Sequence, residues 1–413
     1  MFPNRRITTS GGDKFRDDRS FYFDGTDAHV ALGDITSFDG LDDLTIACWV
    51  KLDSDASGYQ PFLCKGLYNN SSAAFHFNIS PDASNGRMRF SVGNSLFAYK
   101  NNCVTNHGFN LDAWNHVAVT YSNTDDEIYL YINGKKNSVD ALSGAGSTAT
   151  YVSIPANAAP SRIASDDLTN FLKGKISDVA AYNSALTASQ IKTIYNGKEP
   201  YNHKEGIASN NLISWWRMGD NNPSQYPIVL DSASSLTIGS DLIPNAIFES
   251  NTTGWSDNDG GGGGAITRDT STVYRGSGSG KITWPDPPVD YWGAMTTSDI
   301  TPAADTIYVA SAYLRYGDTP TGAVAYLTDG ASFNNATSEY KTHIATTDLG
   351  WNYVKTVFRT LTDDAGKIYI RTLTTPSAGN IVYVDDITLK PYTGGNIGVI
   401  VNSVASDLTG DTP

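Results

Sequence analysis

The chain is short of the residues that make strongly charged surfaces and helices. Its 413 residues include 29 Lys and Arg and only five glutamates: Glu127, Glu199, Glu205, Glu249 and Glu339. With a formal net charge of -14, a phosphate-neutralising role is disfavoured, because nucleic-acid binders cluster Lys and Arg on one face. No apolar run approaches the ~20 residues of a membrane span. The opening residues 1–18, MFPNRRITTSGGDKFRDD, are basic but lack the ~7 to 15 apolar residues of a secretion signal, so synthesis in a cytoplasm is expected. Cysteine is scarce too: Cys48, Cys64 and Cys103 are odd in number and confined to the first half, which excludes a disulfide ladder in place of a core and leaves buried thiols in strands. The six His are scattered without zinc or triad spacing. His116, near Trp114, reads as a packed histidine.

What is abundant is Gly (38), Tyr (23), Thr, Ser, Asn and Asp, the composition of many short strands joined by tight turns. The length suits two domains of roughly 150 to 200 residues. Phe21 and Phe23 alternate with polar neighbours, a turn follows at Asp24-Gly25-Thr26-Asp27, and Val30 and Leu32 resume the period of a half-buried strand. LTIACWV (44–50), FHFNI (75–79), RMRFSV (87–92) and WNHVAVTY (114–121) predict further strands. Ile128, Leu130 and Ile132 share one face, and Asn133-Gly134 supplies a hairpin, since both residues tolerate positive φ. One helix is predicted, opened by Thr187 with Gln190 as a capping box, striped by Ile191, Ile194 and Tyr195, and ended by Gly197 before Pro200.

The series SFYFDGTDAHVALG, LTIACWVK, WNHVAVTY, YLYINGK and GKISDVAAYNSALTASQIKTIYNG resembles the laminin-G-like domain of the concanavalin A-like lectin/glucanase superfamily, over residues 20–200. After it, NLISWWRMGDNNPSQYPIVLDSAS resembles the opening of another copy that does not continue. The second module opens with NAIFESNTTGW and closes with IVYVDDITL; this order resembles the jelly-roll carbohydrate-binding modules of xylanases and cellulases. These resemblances imply an all-β chain of two antiparallel β-sandwich (jelly-roll) domains in tandem. The expected organisation is an N-terminal arm (1–19), the first sandwich (20–200), a bridging segment packed on it (201–240), with Leu212 to Met218 as a strand and Trp215 or Trp216 buried, the jelly roll (241–393) and a C-terminal tail (394–413). The glycines at 260–264 predict a flexible loop, and the apolar run of the tail suits adding a strand to a neighbour.

Because glucanases share the first fold, catalysis is the first chemistry to weigh. Retaining glycosidases use two carboxylates about 5 to 5.5 Å apart, and the glucanases of this superfamily carry them on one strand as Glu-x-Asp-x-x-Glu. No two of the five glutamates are close in sequence, and Asp125, Asp126 and Glu127 precede a strand where a solvated turn accounts for them. A non-enzyme is expected. A metal is the next candidate. In IVYVDDITL, Asp385 shares parity with Ile381, Tyr383, Ile387 and Leu389, and a buried carboxylate needs a partner or a cation. Resemblance to the jelly-roll modules implies a structural Ca²⁺ held by Asp385 and Glu249, oxygen ligands that suit this ion. The alternative is that backbone N–H groups satisfy Asp385 or that a bulge turns it outward. Asp24 and Asp178 repeat the arrangement in the first module and suggest a second Ca²⁺, unless Asp24 merely closes a turn. Sugar binding needs exposed aromatic faces. Trp284, Tyr291 and Trp292 flank a proline-rich loop and are the candidate platform, with Tyr316 next, the alternative being core or loop burial.

Three functions follow. The chain resembles virion surface proteins of tailed phages, which implies a decoration protein, head fibre or tail-associated adhesin, with other virion proteins or its own copies as partners and host-surface or environmental glycans as ligands. The alternatives are a secreted, extracellular bacterial carbohydrate-binding protein and, disfavoured by its glutamates, a glucanase-like hydrolase.

Overall fold

The computed structural model describes residues 18–66, 73–80, 87–93, 100–105, 108–137, 140–141, 151–166, 168–219, 227–243, 245–257, 265–284, 292–317, 325–329, 335–341, 349–360, 365–372, 377, 379–402 and 405–413. The chain forms two compact units, Met1–Ser235 with Ser403–Pro413, and Leu236–Asn402. Both are built from antiparallel sheets, and the all-β reading of the sequence holds.

The first unit contains β1 (Ser20–Asp24), β2 (His29–Gly33), β3 (Asp43–Leu52), β4 (Gln60–Lys65), β5 (Phe75–Ser80), β6 (Arg87–Val92), β7 (Lys100–Thr105), β8 (Asn115–Ser122), β9 (Glu127–Ile132), β10 (Lys135–Lys136), β11 (Asp140–Ala141), β12 (Ser161–Ile163), β13 (Lys173–Tyr182), helix α1 (Ala188–Tyr195), β14 (Leu212–Trp216) and β15 (Ile228–Val229). One sheet runs β10-β9-β8-β3-β13-β1, with β14 also pairing with β13, and the other includes β11-β7-β6-β5-β4-β12-β2. Inward-facing Phe90 and Tyr121, from the two sheets, meet with ring centroids 5.9 Å apart. Phe62, Phe75 and Phe77 extend this core. Cys48 and Cys64 are buried within β3 and β4; the side chain of Cys103 lies outside the described residues.

The central strands β3, β8 and β13 are buried on both faces, and the outer layer explains why. Ala118 lies opposite Ala47, and Ala47 opposite Ala180, so a row of methyl groups leaves a shallow trough on the outward face. Ile191 and Ile194 of α1 fill it together with Tyr131, Tyr182 and Trp215. The capping box forms as the sequence predicts: Gln190 N donates to Thr187 Oγ1 at 3.3 Å, and Thr187 N donates to Gln190 Oε1 at 2.8 Å. The stop is Asn196 in the left-handed conformation, one residue before Gly197. Asn133 and Gly134 turn the hairpin at φ 52 and 72°. A Cβ on Gly134 would lie 2.7 Å from the Tyr195 ring, so the turn and the helix together require glycine there.

The second unit contains β16 (Thr237–Ile238), β17 (Trp255–Asp257), β18 (Ala265–Asp269), β19 (Ser279–Thr283), β20 (Trp292–Thr296), β21 (Ile307–Tyr316), β22 (Ala325–Asp329), β23 (Asn335–Lys341), β24 (Asn352–Thr360), β25 (Ile368–Thr372), β26 (Ile381–Thr393) and β27 (Gly398–Val401). Its larger sheet runs β18-β19-β26-β21-β24-β23, with β16 pairing β26, and its smaller one β17-β20-β25-β22. Phe248, Trp255, Ile282, Leu314, Phe358, Ile370, Val384 and Leu389 are among the side chains of its core.

The last residues return to the first unit. β28 (Leu408–Thr409) pairs antiparallel with β1, so the tail adds its strand to its own chain. Beyond it, Asp411 Oδ2 receives Lys51 Nζ at 2.9 Å and Lys175 Nζ at 2.6 Å, while Trp114 Nε1 donates to Oδ1 at 3.1 Å. Although partial burial opposes ionisation, these donors hold the Asp411 carboxyl down at about 2, from an ordinary 3.8. A depressed carboxyl stabilises the fold above its unfolded value and loses that contribution as pH falls towards the folded one. Since the Asp411 side chain is 35% exposed, screening reduces its contribution to about 1 kcal/mol. Asp411→Asn should therefore lower stability by about that amount at neutral pH, and the gap between variant and wild type in thermal melts should close as pH falls from about 4 towards about 2.

Candidate functional site

The four acidic candidates for metal binding do not form two oxygen cages. Asp24 is exposed and receives the Thr26 N–H at 2.9 Å, closing the turn at Gly25. In register it lies opposite Lys173, five residues along β13 from Asp178, or roughly 16 Å at strand rise; the two carboxylates are not brought together. Asp178 is buried, with Trp215 Nε1 donating to its Oδ1 and His203 Nε2 lying 3.3 Å from its Oδ2. The other ring nitrogen of His203 meets the Tyr182 hydroxyl. This Tyr182–His203–Asp178 chain resembles a proton relay in connectivity, but all three groups are buried and it serves to fasten the 201–216 segment, β14 included, to β13. No sequence spacing betrayed it, because His203 reaches Asp178 from a loop.

Asp385 and Glu249 do approach one loop, by another means. Both Tyr274 N and Arg275 N donate to Asp385 Oδ2, at 3.0 and 2.9 Å, and Asp386 N donates to Oδ1 at 2.8 Å. Glu249 takes the Ser277 N–H and hydroxyl. Hydrogen bonds hold the Glu249 carboxyl below its usual range, whereas burial raises Asp385 against the opposing pull of its three N–H donors. These two carboxylates fit as anchors of the 274–277 turn, and a set dominated by N–H donors does not fit a calcium cage, which needs converging oxygens. Among the described residues no group of three His, Cys, Asp or Glu is placed to hold a metal.

The parity placed on Asp385 also needs correction. Val382, Val384, Ile387 and Leu389 face the core, whereas Ile381 and Tyr383 do not. Between Ser311 and Tyr313 of β21, the partner strand passes from Thr388 to Asp385 and spends one residue more. That β-bulge, with Asp386 at φ 50°, reverses the alternation.

The aromatic candidates divide similarly. Trp284 and Tyr316 are 3% and 2% exposed and belong to the core of the second unit, so neither is a sugar platform. Tyr291 lies outside the described residues, as do the 260–264 tract and the proline-rich loop. Trp292 opens β20 opposite Arg371, but its side chain is outside them too. His116 is buried between Trp49 and Tyr195, and burial pushes it down to about 3, a neutral packed ring.

A different aromatic group occupies the outward face of the larger sheet. Tyr313 of β21 lies directly opposite Tyr353 of β24, with ring centroids 5.4 Å apart. Tyr274, carried by the turn that Asp385 anchors, stacks on Tyr313 at 3.6 Å with planes 16° apart. Trp351 follows, 5.8 Å from Tyr274. Tyr353 and Tyr274 are 53% and 41% exposed, and the hydroxyl of Tyr274 is hydrogen-bonded to Tyr313, which raises its pKa above the ordinary phenol value. Sequence reading missed this row because Tyr274 sits in a loop without periodicity, although Tyr313 and Tyr353 share outward parity with polar neighbours.

The fold defines a class, an all-β protein of two units built from antiparallel sheets. Residues 24–192 match the laminin-G-type family model described as the concanavalin A-like lectin/glucanases superfamily, and their two antiparallel sheets agree with that match. No curated protein matches the chain. Among solved structures, the heptameric SAP-like pentraxin from Limulus polyphemus is 19% identical, with TM-score 0.33, over 43% of this chain and 82% of that one. The CBM22-1 xylan-binding domain of Paenibacillus barcinonensis Xyn10C is 16% identical, TM-score 0.29, over 37% and 95%. A putative carbohydrate binding protein from Bacteroides ovatus is 12% identical, TM-score 0.36, over 53% and 56%. Scores this low support no functional inference.

Asp385→Asn should be disproportionately costly for an isosteric change. An amide can accept at only one of its two terminal atoms, so it sets an NH₂ against either the Asp386 N–H or the pair from Tyr274 and Arg275. Leaving buried donors unpaired costs ~1 to 3 kcal/mol, and urea denaturation should show a loss of that size.

Proposed function

We propose that this chain is a non-enzymatic, glycan-binding display protein, with the Trp351–Tyr274–Tyr313–Tyr353 row as its sugar-contacting surface. The observation that carries this is the exposure of the rings. A sandwich normally turns its large apolar groups inward, and an outward aromatic row is a surface awaiting a partner. Pyranose rings present apolar faces of C–H groups that stack on tyrosine and tryptophan, while nearby polar groups fix their hydroxyls. Arg275 and Asp386, paired at 3.5 Å beside Tyr274, supply such groups.

A non-catalytic role is supported by the use made of the carboxylates. Glu127, at the start of β9, accepts the Tyr129 hydroxyl; Glu249 and Asp385 hold a turn; Asp178 is sealed under Trp215. A retaining glycosidase would need two of them free and about 5 Å apart.

The setting we propose is the surface of a tailed-phage virion. A buried free thiol at Cys48 supports synthesis in a reducing cytoplasm, and no helix among the described residues is long and apolar enough to cross a membrane. Mass spectrometry of purified particles tests the setting: the chain should copurify, and its absence would end the virion assignment.

For the glycan surface, affinity electrophoresis against soluble xylan and β-glucan should show retardation of the wild type. Tyr353→Ala and Tyr313→Ala should weaken it at least about tenfold, or ~1.4 kcal/mol, with a melting temperature close to wild type for Tyr353→Ala because that ring is 53% exposed. Unchanged retardation in both variants would remove the row from the binding surface.

A further inference from the structure

The first unit carries a second ordered row, on the outward face of the sheet that bears α1. Tyr22 of β1 lies opposite Lys175 of β13, and Lys175 opposite Lys51 of β3. Because Val50 pairs with Asn115, Trp114 comes next, so the row reads aromatic, lysine, lysine, aromatic. Like charges directly opposite on neighbouring strands repel. Here one carboxylate sits between them, 2.9 Å from Lys51 Nζ and 2.6 Å from Lys175 Nζ, with the Trp114 indole N–H 3.1 Å from its second oxygen.

The three donors belong to the sandwich, and the acceptor is Asp411, near the end of the chain. Its segment is tied down by the two paired residues of β28 and by the Ser20 hydroxyl, which donates to the Asp411 main-chain carbonyl. The Lys51, Lys175 and Asp411 side chains are 29%, 23% and 35% exposed, so solvent reaches the ion pairs. The surrounding acids are otherwise occupied: Asp53 accepts the Tyr22 hydroxyl at 3.1 Å, and Asp55 pairs with Lys173. Positive charge that can take an outside anion is therefore concentrated at the lysine pair.

We propose that the Tyr22–Lys175–Lys51–Trp114 row is a binding site for a carboxylate-bearing sugar, a uronate within a polysaccharide, and that Asp411 is its resident occupant, displaced when ligand arrives. Neighbouring strands lie ~4.8 Å apart, so the row is long enough for a short oligosaccharide. One sugar carboxylate takes the place of Asp411 between the lysines, and the rings of Trp114 and Tyr22 flank the adjoining residues. An occupant held in the same chain lowers the fraction of open sites and so weakens the observed affinity. The site shares no residue with the tyrosine row of the second unit and stands or falls separately from it.

Isothermal titration of the full chain with trigalacturonate and with a neutral trisaccharide tests the assignment. Asp411→Ala should bind trigalacturonate at least about tenfold more tightly than wild type and the neutral sugar no better than before. Adding Lys51→Met and Lys175→Met should abolish the gain, whereas Tyr313→Ala should leave it intact. Where Asp411→Ala folds poorly, Asp411→Asn makes the same comparison with the hydrogen-bonding shape kept. A folded variant, by circular dichroism, that binds trigalacturonate no better than the neutral sugar overturns the proposal. A wild-type dimer that Asp411→Ala converts to monomer, without uronate binding, overturns it as well and assigns the site to the tail of a second copy.

Discussion

One extra residue in the long closing strand of each unit decides which side chains meet water. In β13, Ser177 pairs with Trp49 and Ala180 with Ala47, so three steps on one strand match two on the other. Asp178 absorbs the difference at φ 55°. Before the bulge the outward residues are Lys173, Lys175 and Ser177; after it they are Ala180 and Tyr182, which join the layer under α1. An unbroken alternation would drive Tyr182 into the space between the sheets and turn Ala181 out. The bulge in β26 does the same for the second unit, keeping Val384 and Ile387 on the core side and leaving Asp385 beside the turn it anchors. Bulges disrupt the ladder locally, and they persist where they re-aim side chains.

The outward faces are consequently divided into covered and open parts. In the first unit the alanine row accepts the helix, since only a methyl at each crossing lets Ile191 and Ile194 approach the strands. Two residues further along β3 and β8, and three along β13 across its bulge, the side chains become Trp49, His116 and Ser177, and two beyond that Lys51, Trp114 and Lys175. The face thus grades from apolar and sealed to charged and hydrated within four residues of β3. The helix stops short of the charged end because Asn196 and Gly197 turn the chain away, at φ 49 and 66°.

Strands, the capping box and the Asn-Gly hairpin were legible because each leaves a local mark: period two in LTIACWV, oxygen acceptors at Thr187 and Gln190, positive φ at Asn133-Gly134. The bulges leave none. A single inserted residue looks like any other strand residue, and parity counted through Asp385 was therefore assigned to the wrong face. Burial of Trp284 and Tyr316 was hidden for a related reason, since both lie at strand ends, where sequence cannot distinguish a ring folded back over the core from one left outside. The tyrosine row depended on a loop residue, Tyr274, whose position is fixed by N–H bonds to a carboxylate more than a hundred residues away. Such long-range satisfaction of a buried acid follows from desolvation but names its partner only in three dimensions.

Exposed aromatic rings on a sheet need something to hold them, because a free tyrosine loses rotamer entropy without compensation when it is fixed at a surface. In the second unit the rings hold one another: Tyr274 stacks on Tyr313 and hydrogen-bonds to it, and Tyr313 is paired across the ladder with Tyr353. The arrangement is preformed, and preorganisation of this kind lowers the ordering cost of binding a stiff, uncharged ligand. In the first unit the corresponding work falls to an ion cluster. Trp114 is oriented by Asp411 and the lysines by the same carboxylate. Two sandwiches of the same general construction therefore differ in the chemistry of their open faces. The neutral row is held together by its own rings, and the charged row by a carboxylate from the same chain.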